Sequence, residues 1–292
     1  MTLAIGPTTG DDLHLISLNV RMPWHGTRPG EADHWPERQE VLTRFLQQER
    51  PTVLGVQEAL WPQVQAIEKA LPPSYRMVGQ GREGGSHGEH GAIFYQASRL
   101  TLLEHDVMWL SDTPDVIGSM TWGNPMPRIL TWARFQDEAT GHPLVVLVTH
   151  LDHDVAEARD RAAEAIAELV RTRFAGMPLV LMGDFNAPVD SFPYDVLTRR
   201  AGLRDSWLDT ARPGQPRVRH VPRLPATGGR RPAHRLDPRG RPRRRARRRG
   251  QRLLLARPHD ERPPARAGAR AAELTPSVTR PAPAPPPRSL GG

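Results

Sequence analysis

Leu179–Val180–Leu181–Met182–Gly183–Asp184–Phe185–Asn186–Ala187–Pro188 reads as a short apolar strand that stops at a glycine. It then presents a carboxylate and a carboxamide two residues apart. Asp184 and Asn186 share one face of an extended chain, so both can point into one pocket at the strand's C-terminal end. The same residue types also suit an ordinary strand-to-turn join. Three further apolar runs end on polar groups: Leu13–Val20 carries Asn19, Thr52–Glu58 ends on Glu58, and Leu144–His150 ends on His150. Glu58 and Asp184 are hard oxygen ligands of the kind Mg²⁺ or Mn²⁺ takes. Asn19 and Asn186 offer neutral oxygens or N–H donors, and His150 can donate to a developing oxyanion. This set suits metal-assisted attack of water on a phosphate ester. The chain has no cysteine, so thiol nucleophiles, thiolate metal sites and disulfides are excluded. No Gly-x-Ser-x-Gly elbow and no phosphate-cradling Gly-rich loop opens a helix.

The elements that must position these groups alternate between strand and helix. After the first strand comes a Gly/Pro/His-rich loop through Trp35, and Pro36 opens a helix with Arg38, Val41, Leu42, Phe45 and Leu46 at helical spacing. A helix is predicted over Leu60–Leu71. Strands are predicted at Tyr75–Val78 and Ala92–Tyr95, flanking a Gly/His/Glu loop, Gly81–Gly91, that reads as mobile. Strands follow at Leu100–Leu110 and Arg128–Phe135. Between them lies a loop, Ser111–Pro127, long enough to be functional. Leu144–His150 is apolar on both faces, as in a buried strand. A helix from about Ala156 to Phe174 places Ala162, Ile166, Leu169 and Val170 on one face. Another is predicted over Ser191–Arg200. No internal repeat is visible.

The 292 residues suffice for one large α/β domain. The net charge of +8 conceals two parts. Residues 1–211 hold 18 Lys+Arg against 28 Asp+Glu, a net of −10, and residues 212–292 hold 22 against 4, a net of +18. The last aromatic residue is Trp207. A tail of Arg, Pro, Ala and Gly cannot bury enough apolar surface to offset chain entropy, so residues 212–292 are expected to be disordered. No stretch approaches the roughly 20 apolar residues of a membrane span, and the first ten residues do not resemble a leader. A cytoplasmic monomer that contacts no membrane is the expectation.

The residues that carry the chemistry also carry a resemblance. Ser17–Leu18–Asn19–Val20–Arg21, Val56–Gln57–Glu58, Thr149–His150–Leu151–Asp152–His153 and Gly183–Asp184–Phe185–Asn186 resemble, in order, motifs of the endonuclease/exonuclease/phosphatase superfamily. This is the fold of DNase-I-like nucleases and inositol-phosphate phosphatases. Trp109–Leu110–Ser111–Asp112–Thr113–Pro114 and Pro127–Arg128 resemble a bacterial branch of it. The resemblance covers about residues 11–209. It implies an α/β fold: a DNase-I-like two-sheet β-sandwich flanked by helices, formed by residues 11–211 and incomplete at the C-terminus. It implies that Glu58 ligates Mg²⁺ (or Mn²⁺) with Asn19 beside it. Asp184 would orient or deprotonate the attacking water, Asn186 would hold the phosphate, and His150 would stabilise its developing charge. Arg128, Asp152 and His153 would line the substrate side. Each of these three also has a plainer reading: Asp152 as a helix cap, His153 as a solvated loop residue, Arg128 as the partner of a carboxylate.

Two motifs that the superfamily places near its C-terminus are missing. One is an Ile-Asp-Tyr/Trp-Ile strand whose Asp serves the metal side. The other is Ser-Asp-His followed by an apolar strand. His234, Asp237, His259 and Asp260 are present, but without a β-like pattern around them. Back-translation suggests a cause. Read one base forward, the codons of His234–Pro238 permit Ile-Asp-Trp-Ile, those of Glu261–Ala267 permit Ser-Asp-His-Leu-Pro-Val, and those of Arg219–Arg223 permit Thr-Phe-His-Gly, another motif of this branch. All three use the same shift and fall in the family's order. The reading frame is therefore expected to slip between about Asp209 and Arg219, leaving an out-of-frame tail. Resequencing those codons tests this, and a confirmed frame expressed as written excludes a sequencing error.

The function expected from this sequence is metal-dependent hydrolysis of a phosphodiester or phosphomonoester, impaired by loss of the C-terminal Asp and His motifs. The substrate is a phosphorylated small molecule or a nucleic acid. The acidic body disfavours a broad DNA-binding face. The alternative is a non-catalytic, degenerate phosphoesterase body whose Arg-rich tail, Arg239–Arg249 above all, binds nucleic acid through phosphates. That tail lacks aromatics for base stacking. A glycosidase using Glu58 and Asp184 leaves the asparagines unexplained.

Overall fold

Two parallel strand pairs, one in each of two sheets, bring the polar strand ends to a common edge. In the first sheet β1 (Leu15–Asn19) runs parallel to β2 (Val53–Ala59), with Asn19 opposite Gln57. The crossover between them contains α1 (Trp35–Glu49), with Pro36 in a first turn that needs no N–H there. After α2 (Trp61–Ala70), the hairpin of β3 (Tyr75–Gly81) and β4 (His90–Gln96) completes a sheet of order β1-β2-β4-β3. The second sheet begins with β5 (Leu100–Trp109), β6 (Ile129–Asp137) and β7 (Pro143–His150). The crossover α3 (Ala156–Thr172) leads to β8 (Leu179–Asp184), parallel to β7, with His150 opposite Asp184. Then come α4 (Phe192–Asp195), a π turn over Val196–Arg200, β9 (Arg204–Asp205), α5 (Ser206–Asp209) and β10 (Gln251–Ala256). Ser191 caps α4, its hydroxyl accepting from the Tyr194 N–H. This is a computed structural model; it describes residues 5–209 and 251–256, all within the unit Met1–His259.

The alternation of side chains along β7 and β8 explains why both read as apolar on both faces. Val146, Val148, Val180 and Met182 turn inward and meet Val53, Ile93, Tyr95 and Phe135 in a core between the sheets. Val145, Leu147, Leu179 and Leu181 turn outward under Ala162, Ile166 and Val170 of α3. On the other side Leu54, Val56 and Phe94 pack beneath Leu42, Phe45 and Leu46 of α1 and Val64 and Ile67 of α2. The result is helix, sheet, sheet, helix in layers. At Gly55 the sheets come so close that a Cβ would sit 2.7 Å from Cγ2 of Val148. A Cβ at Gly183 would run into the carbonyl oxygen of Thr149. Gly183 is thus required by the tight β7–β8 approach immediately before Asp184.

Two expectations are corrected. The Gly81–Gly91 loop is a hairpin turn tied by backbone hydrogen bonds from Gly81 N to Gly85 O, Arg82 N to Glu89 O and Glu83 N to His87 O. Disorder throughout residues 212–292 does not hold either. Gln251–Ala256 forms β10, antiparallel to β8 with Gln251 opposite Asp184, so β8 is not left as an open edge. His234, Asp237, Arg239–Arg249, His259 and Asp260 lie outside the described residues, as do the other back-translated segments.

Candidate active site

The four strand ends meet across the two sheets. Asn19, at the end of β1, donates through Nδ2 to Oε1 of Glu58 at 2.6 Å and to Oδ2 of Asp184 at 3.3 Å. One amide therefore joins a carboxylate of the first sheet to one of the second. Its Oδ1 accepts from the Arg21 N–H at 2.8 Å, which fixes the amide's orientation. Oε2 of Glu58 accepts from the Met22 N–H at 3.2 Å. Glu58 sits in a β-bulge between Val56 and Ala59, with φ at 63°. That left-handed backbone costs a non-glycine residue about 1–3 kcal/mol and re-aims the side chain out of the strand's alternation.

On the other side Asp184 Oδ1 accepts from the Asn186 N–H at 3.1 Å, with Asn186 itself at φ 45°. Both hydrogens of the Asn186 amide are used: Nδ2 lies 3.0 Å from the Leu151 carbonyl oxygen and 3.0 Å from Nε2 of His150. Leu151 O can only accept, so it sets the amide's orientation. His150 Nε2 must then accept, and the imidazole proton resides on Nδ1. Burial, then the Arg128 and Arg82 guanidinium groups, push the His150 pKa down to about 3. His150 is thus a neutral donor through Nδ1, and that atom lies 3.9 Å from Oε2 of Glu89.

Glu89 belongs to the hairpin that sequence reasoning treated as a mobile loop. So do Arg82 and His90, and all three border a cleft of about 250 Å³ with Glu58, Gly91, Pro127, Arg128, Ile129 and His150. Arg82 donates to Glu89 at 2.9 Å. The pair is anchored by the Trp109 indole N–H on the Arg82 carbonyl at 2.7 Å. Burial raises the Glu89 pKa, with Arg82 opposing and the charge of Glu58 adding to the rise. His90 bonds the Ala59 carbonyl through Nδ1 at 3.0 Å and stacks on Trp61, bracing the strand end that bears Glu58. The clue available in sequence was symmetry: Arg82 and Glu89 stand opposite each other across a glycine-rich turn between two strands.

Of the three residues expected on the substrate side, only Arg128 borders the cleft. Asp152 is buried and takes the capping role: Oδ1 accepts from the Asp154 and Val155 N–H groups at 2.9 and 2.7 Å, just before α3. Oδ2 pairs with Nε of Arg128 at 3.2 Å. Burial pushes the Asp152 carboxyl upward, but these donors outweigh it and hold its pKa low. His153 Nδ1 accepts from Arg128 at 2.8 Å, so the loop pair Asp152 and His153 fixes Arg128 in place.

Two mixed sheets flanked by helices, with Glu58, Asp184, His150 and Asn186 at strand ends on a common edge, make a DNase-I-like α/β architecture. A sequence model of the Endonuclease/Exonuclease/phosphatase family matches residues 16–253, and the chain belongs to that family. Its structure is similar to that of the mannosyl-6-phosphatase Bt3783 of Bacteroides thetaiotaomicron, with 32% identity, a TM-score of 0.63, and coverage of 68% of this chain and 74% of that one. It is also similar to Uncharacterized protein L388 of Acanthamoeba polyphaga mimivirus, 27% identical over 63% of this chain and 70% of that protein. Protein angel of Drosophila melanogaster is 28% identical over 61% of this chain, which spans about half (51%) of that relative's length. Among the described residues no helix is long and apolar enough to cross a membrane.

Proposed function

We propose that the chain hydrolyses phosphate esters with the aid of a divalent cation, Mg²⁺ or Mn²⁺. The observation that carries this reading is the Asn19 amide held between the Glu58 and Asp184 carboxylates at 2.6 and 3.3 Å. Among the described residues no three His, Cys, Asp or Glu side chains form a metal cluster. Glu58 and Asp184 are hard oxygen donors of the kind taken by Mg²⁺, which keeps several waters and needs only one or two carboxylates. Glu58 would hold the ion, with Asn19 beside it orienting the carboxylate through Nδ2; the ion, when bound, would supply positive charge to phosphoryl oxygens and acidify water.

The chain's own residues divide the remaining work. Asp184 accepts from the Asn186 N–H at Oδ1 and from Asn19 at Oδ2, and the remaining lone pair of Oδ2 would orient the attacking water and take its proton. His150 donates from Nδ1 to a phosphoryl oxygen as charge develops there. Asn186 was expected to hold the phosphate directly. With both amide hydrogens engaged, it acts through His150 by setting the tautomer. Arg128 contributes charge at the cleft wall, held by Asp152 and His153. The mannosyl-6-phosphatase among the similar structures supports a phosphorylated small molecule as substrate. The net of −10 over residues 1–211 supports it too, since that charge repels an extended nucleic acid.

Turnover by this chain is low in this reading, because the Asp and His motifs that its family places near the C-terminus are absent from the sequence. The one-base slip between about Asp209 and Arg219 accounts for their loss. Hydrolysis assays with Mg²⁺ on the chain and on a frame-restored version, each with and without Glu58→Ala, test the reading. Metal-dependent turnover that Glu58→Ala leaves intact refutes it.

A further inference from the structure

We propose that Arg82 is the specificity-determining residue of this site: it binds a non-bridging oxygen of the substrate's phosphate and selects monoesters over diesters. The inference rests on the hydrolase reading above and names its substrate class.

The two cations at the cleft differ in how their donors are used. Arg128 is engaged by Asp152 through Nε and by His153 through Nη2. Arg82 makes one side-chain bond, from Nη1 to Glu89. Its Nε is buried without a hydrogen-bond partner among the described residues. That atom is sealed from solvent, so the donors Arg82 can offer the cleft are those of its terminal nitrogens. A phosphate oxygen is the acceptor for which a guanidinium fork is best shaped. Arg82 lines the same cleft as Glu58, Arg128 and His150.

The walls of the cleft are held in place, and the charge at Arg82 favours the phosphate that carries more negative charge. The hairpin carrying Arg82 is closed by its own backbone bonds and anchored through Trp109. Ile117, from the 111–127 loop, packs against Gly84 at its tip. Pro127, Arg128 and Ile129 form a further wall of the cleft. A monoester presents three non-bridging oxygens and close to two negative charges near neutral pH. A diester presents two such oxygens and one charge, so it offers the guanidinium fork less to bind.

The test is binding, so it needs no turnover. Methyl phosphate and dimethyl phosphate are titrated by calorimetry into the full chain with Mg²⁺ present, at about 0.15 M salt to screen the basic residues of the 212–292 segment. The same titrations use Arg82→Gln and Arg82→Lys, with melting curves to show that each variant is folded. The expected result is at least tenfold tighter binding of methyl phosphate by the parent chain. That preference should fall below about threefold in Arg82→Gln and be partly retained in Arg82→Lys. Absence of a preference in the parent, or a full preference in folded Arg82→Gln, overturns the proposal. Selective binding through Arg82, together with a frame-restored chain that shows no metal-dependent hydrolysis, would sink the hydrolase reading and leave this one standing.

Discussion

The carboxamide nitrogen of Asn186 lies 3.0 Å from Nε2 of His150 and donates to it. Because the same nitrogen also donates to Leu151 O, the amide cannot be turned over without losing both bonds. Asn186→Asp puts acceptors where both donors stood and removes the constraint on the imidazole. The expected outcome is a loss of about 10²-fold in kcat, the scale of a displaced proton-transfer group. The ¹⁵N shifts of His150 should move away from the Nδ1-protonated pattern. An unchanged tautomer in the variant contradicts the role given to Asn186.

His150 also sets a pH dependence. Its folded pKa, about 3, lies below the ordinary value of 6.5, so the unfolded chain binds this proton more readily. The stability contributed by the neutral ring is therefore fully present above about pH 6.5 and declines as pH falls toward 3. His150→Gln removes that component. The variant's melting temperature should fall less steeply than the parent's between about pH 6.5 and 4.5. Parallel curves would show that the ring is not held neutral.

Arg128 and Asp152 are both buried, at 4% and 1% side-chain exposure. Asp152→Ala leaves the guanidinium without its carboxylate and frees two N–H groups ahead of α3. A destabilisation of about 3–5 kcal/mol is expected in denaturant titrations. A change below about 1 kcal/mol would mean that the pair is solvated in solution.

Gly183 has no room for a side chain against the Thr149 carbonyl. Gly183→Ala should force β7 and β8 apart, cost about 1–3 kcal/mol, and disturb Asp184 one residue later. Equal melting temperatures for parent and variant would contradict this tight approach.

What could be read from sequence divides along physical lines. Asn19, Glu58, His150 and Asp184 stand at the ends of apolar runs, and strand parity plus a βαβ crossover suffices to bring such ends together. The role of Asp152 was visible only as one of two readings, because a carboxylate before a helix caps equally well whether or not an arginine reaches it. Arg82, Glu89 and His90 were missed because a glycine-rich turn looks the same whether it is loose or closed by backbone bonds. The positive φ of Glu58 leaves no trace in composition. β10 was hidden because three leucines among arginines are too short a signal to outweigh the segment's charge.

The most direct measurement compares Mg²⁺-dependent hydrolysis of p-nitrophenyl phosphate and bis-p-nitrophenyl phosphate by four proteins. These are the chain as written, the frame-restored chain, and Glu58→Ala in each. The account predicts slow, metal-dependent turnover by the chain as written, at least about 10²-fold faster turnover after frame restoration, and background rates in both Glu58→Ala proteins. Equal rates before and after restoration, or hydrolysis that survives Glu58→Ala, would contradict it.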